Sequence, residues 1–143
     1  MIQKKSKFSE KYGPDQKPDP VIREKILETT YKGEVACAVA FEIVKELGVS
    51  PAEVGKTIDL MEYHLVKCQL GLFGYKPGHR IIEPKLPEND RIVEAIKARI
   101  FNGRLACKTA WEIATLFDVH KMTVSNACEA LGIKIKPCQL GAF

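Results

Sequence analysis

Four of the five cysteines in this chain recur as pairs, Cys37 with Cys68 and Cys107 with Cys138, each pair 31 residues apart. Three chemistries are open to them. Two thiolates per pair, or four across a junction, would ligate zinc or an iron–sulfur cluster. Each pair could instead close as a redox disulfide, or Cys37 and Cys107 could be small apolar residues facing a helical core. Cys-x-x-Cys spacing, the usual mark of a thiolate metal site, is absent, and Cys128 is left unmatched. A second set of residues points to different chemistry. His120, Lys121, Met122, Thr123, Ser125 and Asn126 fall in one short segment, with Arg99, Arg104 and Lys108 upstream. Cationic, amide and hydroxyl groups in that density suit phosphates and base edges.

The elements that must position these residues come in two copies. Laid over itself at an offset of 70, the chain matches residues 19–73 to 89–143 at 16 of 55 positions without a gap. Chance would supply about 3, at typical residue usage. The shared set includes Ile22/Ile92, Gly33/Gly103, Cys37/Cys107, Ala40/Ala110, Ile43/Ile113 and Val54/Val124, and the run Cys-Gln-Leu-Gly at 68–71 and 138–141. A long period present twice describes a duplicated small domain, not a solenoid. Units of this size are near the lower limit of independent stability, so packing on each other or on a second copy, as a homodimer, is expected. The organisation expected is a basic disordered arm over 1–18, repeat 1 over 19–73, a Pro/Gly-marked linker over 74–88 and repeat 2 over 89–143.

Charge separates the copies. Repeat 1 carries six bases and nine acids, repeat 2 eight bases and five acids, and the arm five lysines against two acids. A basic second unit suits a polyanion and an acidic first unit does not. The Lys-rich start has no apolar signal-peptide run, and no stretch reaches the ~20 apolar residues of a membrane span. A cytoplasmic protein that does not enter a membrane is expected.

Each repeat reads as three helices. Asp19-Pro20 is a helix start, and Ile22, Ile26, Leu27 and Tyr31 share one face, as do Ile92, Val93, Ile96, Ile100 and Phe101 in the second copy. Lys32-Gly33 and Asn102-Gly103 supply the stops. A second helix is expected over about 35–47 and 105–117, a turn at Gly48-Val49 or Asp118-Val119, and a third helix over about 51–62 and 121–131. Each unit then closes with a short extended piece, Tyr63 to Lys67 or Ile133 to Lys136. The fold class expected is therefore mainly all-α, two tandem three-helix units with short wing-like extended ends. Gln69/Gln139 and Gly71/Gly141 read as a turn whose glutamine satisfies backbone groups. Phe73/Phe143 and Trp111 read as core.

The spacing of the second and third helices carries the functional reading. Ala114 is followed at four residues by the turn residue Asp118, then by Val119, Val124 and Ala127. A small residue lets two helices cross closely, the turn tolerates left-handed geometry, and the later apolar residues pin the third helix. Here the chain resembles the tri-helical helix-turn-helix superfamily of DNA-binding proteins, and Val119 to Asn126 looks like the start of a recognition helix. The ending Leu-Gly-Ile-Lys-Ile-x-x-Cys-Gln-Leu-Gly-x-Phe over 131–143 is similar to small ModE-like regulators of archaea and anaerobic bacteria. That resemblance implies double-stranded DNA as partner and transcription regulation as role; it concerns the DNA-binding part alone and implies no molybdate sensing.

Repeat 2 is the expected reader, with His120, Lys121, Met122, Ser125 and Asn126 on the solvent side of the third helix and Arg104 and Lys108 on phosphates. In repeat 1 the matching places hold Ser50, Pro51, Ala52, Gly55 and Lys56, and Ser50 to Glu53 forms a capping box that keeps a carboxylate at the helix start. No catalytic set is recognisable: there is no Gly-rich phosphate loop and no Ser/His/Asp set, and Glu42 and Glu112 read as solvated helix acids. No enzyme and no cofactor are expected. The competing reading is a metal or redox module, or a protein-interaction module, centred on Cys37, Cys68, Cys107 and Cys138.

Overall fold

A computed structural model describes residues 8–30, 32–76 and 78–142. The expectations placed on residues 1–7, Tyr31, Pro77 and Phe143 lie outside them. The described chain is mainly α, with six α-helices and four short strands among the described residues. No helix among them is long and apolar enough to cross a membrane. The chain divides into two compact units at Val66/Lys67.

In the first unit, α1 (Pro20–Thr29), α2 (Cys37–Leu47) and α3 (Pro51–Leu60) pack on one another. Asp19 caps α1 by accepting the Val21 and Ile22 N–H groups, and Pro20 opens it, as its fixed φ favours. Gly48 ends α2 in the left-handed region at φ 64°, where a Cβ would be penalised, and Ser50 Oγ accepts the Glu53 N–H to start α3. Ile22, Ile26, Ala40, Ile43, Val54 and Ile58 are the buried residues these helices turn inward. Strand β1 (Glu34–Ala36) runs directly into α2, and β2 (His64–Val66) follows α3; the two pair in parallel with Val35 opposite Leu65. The second helix therefore begins at Cys37, two residues later than its periodicity predicts, because Glu34–Ala36 is spent on strand pairing.

Residues 8–18 are not a free arm. A short 3-10 helix, Phe8–Lys11, lies against α3. The Ser9 N–H donates to Glu62 Oε1, while Lys11 Nζ and Tyr12 Oη both donate to Asp59 Oδ2 at 3.1 and 3.0 Å. Burial and the neighbouring Asp59 push the Tyr12 hydroxyl up to about 12. Lys56 Nζ reaches Gln16 Oε1 at 2.6 Å.

The second unit repeats the plan with α4 (Asp90–Arg99), β3 (Arg104–Leu105), α5 (Cys107–Leu116), α6 (Lys121–Leu131) and β4 (Lys134–Ile135), β3 and β4 again parallel. Asn89 caps α4, and Asp118 at φ 52° takes the place of Gly48 between α5 and α6. Its core gathers Ile92, Ile96, Leu105, Ile113, Val124 and Ala127, with Trp111 half-buried against it.

The core also takes Cys68 and Leu70, residues from the end of repeat 1. The Cys-Gln-Leu-Gly run forms the same turn twice: Gly71 N–H to Cys68 O, and Gly141 N–H to Cys138 O, with glycine φ of 75° and 80°. The first of these turns is a structural part of the second unit. The packing boundary thus falls before Cys68, inside the segment that the repeat alignment counts as copy one.

Candidate nucleic-acid interface

Helix α6 begins where Val119 and His120 leave the turn. His120 is exposed and precedes the helix in extended geometry, its carbonyl accepting the Thr123 N–H at 2.9 Å. Lys121, Met122 and Thr123 are half-buried. Lys121 Nζ stands 4.6 Å from the centre of the Trp111 ring, a cation–π contact that orients the ammonium over α5. Gln69 joins His120, Lys121 and Met122 around a shallow concavity at this end of the helix.

Ser125 does not face solvent, which corrects the expectation drawn from the helix pattern, and Asn126 is half-buried with its amide oxygen already engaged. Ser125 is 0% exposed, and its Oγ donates to the Leu70 carbonyl at 2.6 Å. Asn126 Oδ1 accepts the Glu83 N–H at 3.0 Å, and its own carbonyl accepts the Lys85 N–H at 3.2 Å. Arg80 closes the strap by pairing with Glu129 at 2.7 Å. The linker therefore lies along α6 much as residues 8–18 lie along α3, where Gly55 is buried and Lys56 is bonded to Gln16. The first turn of α6 and the half-buried Asn126 border the concavity at this end of the helix.

Arg104 and Lys108 are exposed, as expected. Arg104 belongs to a feature the sequence reading missed. Phe101, counted there with the apolar face of the first helix of repeat 2, lies beyond the end of α4 and is 78% exposed. Asn102 and Gly103 both take positive φ, 51° and 73°. The flanking residues exchange two backbone hydrogen bonds, Phe101 N–H to Arg104 O at 2.9 Å and Arg104 N–H to Phe101 O at 3.0 Å. This is a tight two-residue turn of the kind Asn-Gly favours. The Asn-Gly dipeptide was thus a turn signal as well as a helix stop. A concavity of about 530 Å³ opens beside it, bordered by Arg99, Phe101, Asn102, Arg104, Thr109 and Lys136.

The two copies place their cations at different positions: Arg23, Lys25, Lys32, Lys45, Lys56 and Lys67 of repeat 1 stand where repeat 2 has neutral residues, and the cations of repeat 2 likewise fall where repeat 1 has no Lys or Arg. Arg99, Arg104, Lys108, Lys121, Lys134 and Lys136 stand where repeat 1 has Thr29, Glu34, Ala38, Pro51, His64 and Val66. Five of the six are exposed, Lys121 being the half-buried one.

The cysteines form no comparable site. All five are free thiols. Cys37 belongs to the first unit, whereas Cys68 packs in the core of the second with Cys107. Gln139 Nε2 donates to Cys107 Sγ at 3.6 Å, so that glutamine serves a sulfur and not the backbone. Burial nevertheless pushes the Cys107 thiol up to about 11, and the Cys128 thiol to about 12. Burial raises Cys68 as well. Thiols held this way are protonated near neutrality, the opposite of a poised ligand or nucleophile. Among the described residues no group of three or more His, Cys, Asp or Glu side chains could hold a metal ion.

No protein-family model, no curated protein and no solved structure matches this chain.

Proposed function

We propose that this protein is a DNA-binding transcription regulator built from two helix-turn-helix units, with the second unit making the main contact with duplex DNA. The observation that carries this reading is the replacement of six neutral or acidic residues of repeat 1 by Arg99, Arg104, Lys108, Lys121, Lys134 and Lys136 in repeat 2. With eight bases and five acids against six bases and nine acids in repeat 1, these cations leave repeat 2 net basic, which suits a polyanion partner on that copy. The left-handed turn residues Gly48 and Asp118 between paired helices support the motif. In this reading the first turn of α6 enters the groove, His120, Lys121 and Thr123 supply groups for phosphates and base edges, and Arg104 and Lys108 hold the backbone. Ser125 serves the fold, and Asn126, held by the Glu83 N–H through its amide oxygen, keeps its amide N–H groups beside the first turn. The chain acts as a binding protein of the cytoplasm and not as an enzyme.

The test is fluorescence anisotropy with a duplex selected from a random pool, at several salt concentrations. Arg104→Ala and Lys108→Ala should each weaken binding to all sequences and reduce the salt slope by about 1. Lys45→Ala, on the first unit, should change little. Absence of binding above background at low salt would end the regulator reading.

A further inference from the structure

The Phe101–Arg104 turn has features that duplex binding by α6 does not require. An aromatic ring is left 78% exposed on a turn whose two backbone hydrogen bonds fix its position. Three cations surround it from three different elements. Arg99 comes from the last turn of α4, Arg104 from β3, and Lys136 from the residue after β4, held by its N–H on the Leu105 carbonyl at 2.9 Å. None of the three makes an ion pair among the described residues. No acidic residue borders the concavity of about 530 Å³, a volume typical of small-ligand clefts at roughly 300–1,000 Å³. The Asn102 amide and the Thr109 hydroxyl add hydrogen-bonding groups beside the ring. In repeat 1 the places of Arg99, Arg104 and Lys136 hold Thr29, Glu34 and Val66, so the cluster belongs to one copy only.

We infer that this turn is a seat for an unpaired nucleotide of a nucleic-acid strand: the base stacks on Phe101 while its flanking phosphates meet Arg99, Arg104 and Lys136. The chemistry selects this occupant. A ring offers its face to any base, and unpaired bases alone expose theirs. Cations without acids select a polyanion. One aromatic on a concave, polar-edged surface is also a poor seat for an apolar protein face or for acyl chains. The inference rests on the reading that the second unit binds nucleic acid, and adds to it a preference for melted or single-stranded segments.

The experiment uses the full chain and a labelled oligonucleotide of about twelve thymidines, within the usual range of site sizes. Phe101→Ala should bind it about tenfold more weakly than wild type, as loss of one stacked base predicts, and Phe101→Tyr should bind nearly as well as wild type. An abasic strand of equal length should bind weakly and equally to wild type and Phe101→Ala. Binding of the selected duplex should change less than threefold in Phe101→Ala, so failure here leaves the regulator reading standing. Equal affinity of wild type and Phe101→Ala for the thymidine strand would overturn the inference. So would wild-type affinity for the abasic strand equal to that for thymidine, strong competition by free thymidine monophosphate, or co-sedimentation with anionic phosphatidylglycerol vesicles in place of strand binding. The side chain is exposed, so these variants leave the core intact.

Discussion

Replacing Leu70 by alanine separates the packing unit from the repeat. Leu70 lies in copy one of the repeat, yet it is 0% exposed in the core of the second unit, and its carbonyl accepts the buried Ser125 hydroxyl at 2.6 Å. The substitution removes three carbons, roughly 2.4 kcal/mol of transfer free energy at ~0.8 kcal/mol per methylene. The residual cavity adds to this, giving about 3–4 kcal/mol in all, inside the measured spread for buried leucines. Trp111 is the only tryptophan and sits half-buried against the same core, so its fluorescence reports the second unit alone. With an m-value of about 1.5 kcal/mol/M, the urea midpoint followed by Trp111 should fall by about 2 M. Ser125→Ala leaves the Leu70 carbonyl without its donor and should lower stability by about 1–3 kcal/mol. Leu70→Ala removes only side-chain carbons and keeps the carbonyl that accepts the Ser125 hydroxyl, so the losses of the double variant should add unless the turn shifts. If Leu70→Ala leaves the Trp111 midpoint within ~0.3 M of wild type, Leu70 does not support the second unit and the boundary at Val66/Lys67 is misplaced.

Two further outcomes follow from local geometry and from burial. Gly71→Ala and Gly141→Ala both put a side chain at positive φ, 75° and 80°, but only at Gly71 would the new Cβ meet Ile82 Cγ2 at 2.9 Å and Met122 Cε at 3.1 Å. Thermal unfolding should therefore show the larger loss for Gly71→Ala, and an equal loss at the two sites would refute the close packing assigned to the first turn. Stability should also fall in alkali: unfolded thiols titrate near ~8.5, whereas burial holds Cys107 at about 11 and Cys128 at about 12. A folded pKa above the unfolded one stabilises fully below the unfolded value and loses that contribution as pH rises through the folded value. Urea stability should be level from about pH 7 to 8 and decline between about 9 and 12, and Cys128→Ala should decline less steeply. A pH-independent urea midpoint across that window would contradict the buried thiols.

Where a structural choice is local, the sequence by itself determined it. Asp19-Pro20 starts a helix because the cap and the fixed φ act within three residues, and Gly48 and Asp118 turn the chain because few residues tolerate left-handed backbone. The inward faces of the helices follow from spacing, hence the buried Ile22, Ile26, Ile43 and their partners Ile92, Ile96 and Ile113. The two-copy charge difference is likewise a property of composition.

Tertiary structure decided what depends on segments far away in the chain. Strands β1 and β3 are two or three residues long and exist because β2 and β4 come alongside; so short an extended run has no period of its own to recognise. Ser125 looked like a base reader on its helix, but a turn 55 residues earlier covers it, and the amide oxygen of Asn126 is taken up by the linker. Phe101 fitted the apolar face of α4 by spacing, yet the Asn102–Gly103 turn ends the helix first and swings the ring into solvent. A helical pattern shows which residues share a face. Which face is covered, and by what, is settled only when distant segments compete to bury apolar surface and satisfy each other's hydrogen bonds.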